Sequence, residues 1–289
     1  MIASRGRQPE DRTTGWGLDR VTVRFGRLTA LERVSLGVGA GAVTAVIGAD
    51  AAGKTTLLRV LVGAVRPSEG RVRRPEKRQV GYMSAGSGTY GDLTVDENLA
   101  FAARAYGLSR GVARSRIGEL LDRTDLMAAR RRLAGLLSGG MRQKLALAVA
   151  IVHEPELVVL DEPTTGVDPV SRAELWRLIA ELAAAGTAVL MATTYVDEAE
   201  RAGSVLVLLR GRPLALGTPE EIRRAVPGEL YELGGRIDDW RAWRRAGRWR
   251  VWSPDGRAPE GARLIEPDLE DGLVMAQLAY EASQPEVAA

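Results

Sequence analysis

Two glycines, a lysine and two hydroxyls stand at fixed spacing in Gly48-Ala-Asp-Ala-Ala-Gly-Lys-Thr-Thr56. The stretch fits G-x-x-x-x-G-K-[ST] and lies between the apolar run "AVTAVIG" and a helix predicted from Lys54 to about Val62. Gly48 and Gly53 allow backbone geometry that a Cβ would obstruct. The intervening Ala49, Asp50, Ala51 and Ala52 can then turn successive N–H groups toward one phosphate, and the helix amino terminus adds its dipole. Lys54 neutralises phosphate charge, Thr55 offers a hydroxyl to Mg²⁺, and Thr56 completes the nucleotide-binding loop. A second element, "ELVVLDEP", ends an apolar strand on Asp161-Glu162. An acid at that place can hold Mg²⁺ through water, and the next one can polarise an attacking water. Such a pair could also cap the following helix, but two phosphate-site elements in this order point to nucleotide binding.

Positioning these groups takes strands that alternate with helices. Residues 18–47 read as short antiparallel strands leading into the buried "AVTAVIG". "VGYMS" (80–84), "ELVVLDEP" (156–163) and "TAVLMATT" (187–194) read as further buried strands. Helical texture fills 95–132, and "SRAELWRLIAELAAAG" (171–186) is an amphipathic helix ending at Gly186. "SVLVLLRGRPLALG" (204–217) reads as a hairpin. Alternation of this kind implies a parallel α/β sheet. In such sheets ligands bind beyond the carboxyl ends of the strands, where "VLMATTYVDEAE" offers the hydroxyls of Thr193 and Thr194 and no ionisable side chain at the tip.

Composition narrows the chemistry. The 289 residues are 45% hydrophobic and 27% charged, with a net charge of +3, enough for one large domain or a domain plus an appendage and not a nucleic-acid signature in itself. The absence of cysteine excludes disulfides, zinc–thiolate sites and thiol nucleophiles, and a single histidine, His153, excludes multi-histidine metal sites. No apolar run approaches a membrane span. The first residues lack the apolar core of a secretory signal. A disordered tail is expected over 1–17, and a cytoplasmic protein whose membrane role would need a partner supplying the spans.

The third element is "LLSGGMRQKLALA" (136–148). Together with the phosphate loop before it and "VLDEPTTGVD" after it, this order of motifs closely resembles the ATP-binding subunits of ABC transporters over about residues 18–222. "TTGVDP", "YVDEAE" and "RGRPLALGTPEEI" look most like the drug-efflux and export branch. The resemblance implies an α/β fold with a RecA-like P-loop NTPase core, an N-terminal antiparallel β subdomain, a helical subdomain over about 86–150 and a small C-terminal appendage over 223–289. It further implies ATP and Mg²⁺ as ligands and a head-to-tail pair of ATP-binding subunits at the cytoplasmic face of the membrane, serving transmembrane permease subunits. Phe25 would stack on adenine. Thr55, and Asp161 through water, would hold Mg²⁺, and Glu162 would act on water. Asp168 would lie at the dimer seam. Ser138, Gly139, Gly140 and Met141 would complete the partner's ATP site.

Four positions depart from the family pattern. Asp50 stands where Asn is common and Ala51 where Gly is common. Ala85 replaces a Gln that normally meets Mg²⁺ or water, and Thr194 replaces a His that contacts the γ-phosphate. Alanine offers no donor or acceptor, and a threonine hydroxyl cannot span an imidazole's reach. Losing one polar group preorganised on developing charge costs about 10²–10³ in rate. Lys54, Thr55 and the backbone loop remain, so binding should suffer less, although Asp50 adds a like charge near phosphate and Ala51 would cost about 1–2 kcal/mol if the loop turns left-handed. An asymmetric heterodimer is expected, this chain holding ATP in a slow site of its own while its intact signature serves the partner. A homodimer with low turnover is the alternative. The reading from another class is a soluble ABC-type ATPase acting on nucleic acid or ribosomes; the single module and the lack of a long coiled coil argue against it.

"DDWRAWRRAGRWRVW" (238–252) interleaves tryptophan with arginine, a mix able to stack bases or sit at a membrane surface. The alternation in "RWRVW" and the turn residues of "SPDG" favour a strand in a small domain covering its own core. His153, after the helix "LALAVAIV", is expected near that helix's last carbonyls.

Overall fold

The computed structural model describes residues 15–86 and 88–283. Three sheets organise them. The first is antiparallel, with β1 (Trp16–Phe25) between β2 (Leu28–Val38) and β4 (Glu69–Arg73). Its alternation buries Val21, Val23, Leu31, Val34 and Leu36 on one face. The second sheet has β5 (Val80–Met83), β6 (Leu157–Asp161), β7 (Ala188–Thr193), β3 (Val43–Ile47), β8 (Ser204–Leu209) and β9 (Arg212–Gly217) side by side in that order. The first five are parallel, and β9 returns antiparallel along β8. β3, β6 and β7 are buried at every position, because both faces of a parallel sheet are covered.

On one face α1 (Lys54–Leu61) lies between the two sheets, with Leu57, Leu58, Val60 and Leu61 sharing a core with Val46, Val159 and Leu190. On the other face the core takes side chains from α2 (Val95–Ala105), α3 (Arg110–Arg123), α4 (Gly139–Ile151) and α5 (Pro169–Ala184). The short α6 (Val196–Ala199) follows β7, and α7 (Pro219–Arg224) follows β9. The third sheet orders β11 (Ala242–Arg245), β12 (Arg248–Ser253), β10 (Glu229–Leu233) and β13 (Arg263–Ile265), with α8 (Leu269–Ala282) packed on α7.

Several expectations need correcting. Trp16 and Gly17, assigned to the tail, belong to β1 and pair with Val38 and Gly37; residues 1–14 lie outside the described residues. The boundary at 222/223 falls inside α7. The C-terminal sheet does not close a core of its own, for Leu230, Trp252, Leu269 and Met275 are contiguous with Leu214, Ile222 and Val226. Strand β4, "EGRVR", has no counterpart in the sequence reading; it is an exposed, charged edge without apolar alternation.

His153 also stands elsewhere than expected. Its Nε2 lies 3.3 Å from the Val80 carbonyl at the start of β5, and its ring stacks on Tyr106 at 3.4 Å and 3°. Burial pushes its pKa down from 6.5 to about 4. The folded chain therefore holds His153 neutral where the unfolded chain protonates it. Its contribution is fully present above pH 6.5 and is lost as pH falls toward about 4, at up to about 1.4 kcal/mol per pH unit. Urea midpoints measured between pH 4.5 and 7 should show this slope, and His153→Gln should flatten it.

Candidate nucleotide site

Parallel register brings four loops to one sheet edge. Ile47 pairs with Thr193, Asp161 with Ala192, and Met83 with Leu160. The chain leaves those strands at Gly48, Thr194, Glu162 and Ser84, so the phosphate loop, the acidic pair and the positions of Ala85 and Thr194 share that edge. Ala85 and Thr194 are both exposed.

The phosphate loop is built for close approach. A Cβ on Gly48 would come within 2.4 Å of the Leu208 carbonyl, and one on Gly53, at φ +105°, within 2.8 Å of the Ala30 carbonyl. Ala51 adopts φ +60°, a left-handed residue where glycine costs nothing sterically. Ala51→Gly should therefore stabilise the chain by about 1 kcal/mol, read as a rise in the urea midpoint with the slope unchanged.

Lys54 is buried, and its Nζ donates to the Gly48 carbonyl at 2.8 Å and the Ala49 carbonyl at 3.3 Å, with Glu162 Oε1 at 3.6 Å. Thr55 Oγ1 donates to Asp161 Oδ1 at 3.3 Å. Burial raises the Asp161 carboxyl above its usual range and the Glu162 charge adds to it, while the Thr55 bond, Arg59 and Lys54 oppose them. Glu162 stands at φ +52°, accepts from Thr165 Oγ1 at 3.2 Å, and donates its own N–H to the Ala192 carbonyl at 3.0 Å.

This donor set fits a Mg²⁺–nucleotide. Among the described residues no cluster of three or more His, Cys, Asp or Glu could cage a metal by itself. Magnesium asks for less, because it takes one or two protein oxygens and fills its shell with water and phosphate.

The remaining candidates lie on other elements. Phe25 ends β1 and is 51% exposed. Ser138 caps α4, its Oγ accepting from the Met141 N–H at 3.2 Å, with Gly139 and Gly140 in the first turn. That turn lies against α5: a Cβ on Gly140 would come within 2.6 Å of Ser171 Oγ, and one on Gly139 within 3.3 Å of the Gly166 carbonyl. Asp168 caps α5 and accepts from the Val170 and Ser171 amides at 3.1 and 3.0 Å, and the bonds from Ser171 hold its carboxyl below the usual range.

The family model described as ABC transporter matches residues 31–165. The chain is 33% identical over 273 residues to the doxorubicin resistance ATP-binding protein DrrA of Mycobacterium tuberculosis, an alignment covering 85% of this chain and 82% of that protein. This chain belongs to the ABC transporter ATP-binding proteins. It is 37% identical over 227 residues to the daunorubicin resistance ATP-binding protein DrrA3 of Streptomyces coeruleorubidus, covering 75% and 72% of the two chains. It is 42% identical over 202 residues to the probable multidrug ABC transporter ATP-binding protein YbhF of Escherichia coli, but spans only 35% of that protein's length. A solved structure described as the ATP binding subunit of an ABC transporter superposes with a TM-score of 0.67 at 31% identity, covering 73% of this chain and 92% of that one. The core is thus the RecA-like P-loop fold of ABC ATPases with its antiparallel β subdomain and helical region.

Sequence reasoning missed what surrounds these motifs. Glu198, inside the polar run "YVDEAE", is completely buried and bonded to Thr193. Arg172 reaches from α5 to the Tyr195 ring, 4.8 Å from its centroid, and to Asp197 at 3.5 Å. Nothing in local periodicity distinguishes the buried Glu198 from the exposed Glu200 two residues on.

Proposed function

We propose that this chain is the ATP-binding subunit of an exporter, working at the cytoplasmic face of the membrane with separate permease subunits. Among the described residues no helix is long and apolar enough to cross a membrane. The drug-resistance names of the relatives support the export direction.

The observation that carries the reading is the shared sheet edge, with Lys54 facing Glu162, Thr55 bonded to Asp161, and Ala85 and Thr194 at the flanking strand ends. In this reading the 48–56 loop holds the ATP phosphates and Phe25 meets the adenine. Thr55, and Asp161 through water, hold Mg²⁺; Glu162 orients the attacking water. With alanine and threonine at the two remaining contact positions, the chain's own site turns over slowly. The first turn of α4 offers the Ser138 hydroxyl and the N–H groups of Gly139–Met141 to a partner's ATP, with Asp168 at the seam. A heterodimer with a second, more active ATP-binding subunit follows.

The test is titration of the purified chain with Mg-ATP, followed by hydrolysis assays with and without its partner subunits. Binding with little turnover alone, and stimulated turnover in the complex, is the expected result. Robust hydrolysis by the chain alone would sink the asymmetric reading, and failure to bind Mg-ATP would sink the site.

A further inference from the structure

The segment after β6, which carries Glu162, meets the end of β7 and the segment beyond it, which carries Thr194, at three points. The Glu162 N–H donates to the Ala192 carbonyl. Arg172, in the first turn of α5, covers the Tyr195 ring and pairs with Asp197. Between these lies the third tie, a carboxyl with no exposed surface. Glu198 Oε2 accepts from the Thr193 hydroxyl, and that hydroxyl accepts in turn from the Tyr195 N–H at 3.0 Å. On the other side, the hydroxyl of Thr164, itself 1% exposed, lies against the same carboxyl. Glu198 Oε1 and Thr164 Oγ1 are both sealed from solvent and complete no hydrogen bond of normal geometry.

A carboxyl buried only to fill space would be replaced at lower cost by an apolar side chain, because an unsatisfied buried polar atom costs more than its absence. Buried, bonded to the Thr193 hydroxyl on one side and packed against Thr164 on the other, it fixes two backbones in one arrangement. The two backbones here are those leaving β6 at Glu162 and β7 at Thr194, just beyond the pair Asp161–Ala192.

We propose that Glu198 is a positioning residue, which through Thr193 and Thr164 sets where the Glu162 carboxylate stands relative to the strand end bearing Thr194. The inference rests on the reading that Glu162 acts on water at this edge. It assigns a task to the acid four residues beyond Thr194: with no imidazole at 194, alignment of the water-facing groups depends on how firmly the two segments are held together. A misplacement of about 1 Å at such a site costs on the order of 10²-fold in rate.

The test compares Glu198→Ala, Glu198→Gln and Thr164→Val in the full chain. Glu198→Ala should lower the single-turnover rate of Mg-ATP cleavage at least about tenfold while the Kd for Mg-ATP stays within about threefold. Glu198→Gln, which keeps an acceptor for the Thr193 hydroxyl, should recover to within about threefold of the natural chain, and Thr164→Val should fall with Glu198→Ala. Amide exchange over 162–168 with Mg-ATP present reads the same coupling without turnover, and should accelerate at least about fivefold in Glu198→Ala. Unchanged exchange there overturns the proposal whatever the rate. So does a parallel loss of rate, affinity and melting temperature in all three variants, the mark of a plain core residue. A natural chain that fails to bind Mg-ATP would instead bring down the underlying site reading.

Discussion

A chain carrying both Ala85→Gln and Thr194→His is expected to cleave Mg-ATP at least about 10²-fold faster than the natural chain under single-turnover conditions. The reasoning is geometric. Ala85 lies two residues beyond β5 and Thr194 one residue beyond β7, flanking the β6 end that bears Asp161 and Glu162. Both are exposed, so longer side chains meet no packed core. Each replacement returns a polar group aimed at charge that develops only during cleavage, which raises the rate more than the affinity. The two gains need not multiply, because both act on one water and one phosphate. The Kd for Mg-ATP should move by no more than a few-fold, since Lys54 and Thr55 are untouched. An unchanged rate in the double variant, with binding intact, would mean that turnover is limited elsewhere, Asp50 and Ala51 being the next candidates.

The largest loss of stability is expected from Asp271→Ala, at about 3–5 kcal/mol. Asp271 is 1% exposed, ion-paired to Arg250 and, at 3.3 Å, to Arg245, and it closes the capping box of α8 by accepting from the Asp268 N–H. Removing it leaves the Arg250 guanidinium of β12 with only the Asp268 carboxylate at 4.0 Å and opens the helix start at the same time. Urea denaturation of the full chain measures the loss. Arg257→Ala is the contrast, because its pair with Asp255 is exposed on both sides and should contribute less than about 1 kcal/mol. Equal effects from the two substitutions would show that burial does not set the strength of these pairs.

The elements around the phosphate loop were legible because their signals are local. The glycine spacing, the apolar strands before Gly48 and Asp161, and the serine and glycines opening α4 all announce themselves within a dozen residues. Strand β4 was not legible, since an edge strand has no buried face to force alternation on it. The tryptophans near the C-terminus show the same limit. Trp252 is 4% exposed and Trp240 61%, and which of the four faces inward depends on pairing with β10 and on α8. Glu198 was the hardest to see. Its burial is a property of β7, α6 and the loop after β6 together, and each of these alone reads as an ordinary segment. The identities of Ala85 and Thr194 were plain in the sequence, and the register adds that both lie at ends of the same sheet.

The C-terminal sheet shares its buried side chains with the ATPase core through Leu214, Ile222 and Val226. Heat should therefore melt both in a single endotherm. Ligand bound at one end then protects the other, because whatever holds the native state by RT ln(1 + [L]/Kd) holds all of it. Removal of residues 223–289 would accordingly act as a wound to the whole molecule, and a lost stimulation in such a truncated chain would report melting before it reported a missing contact.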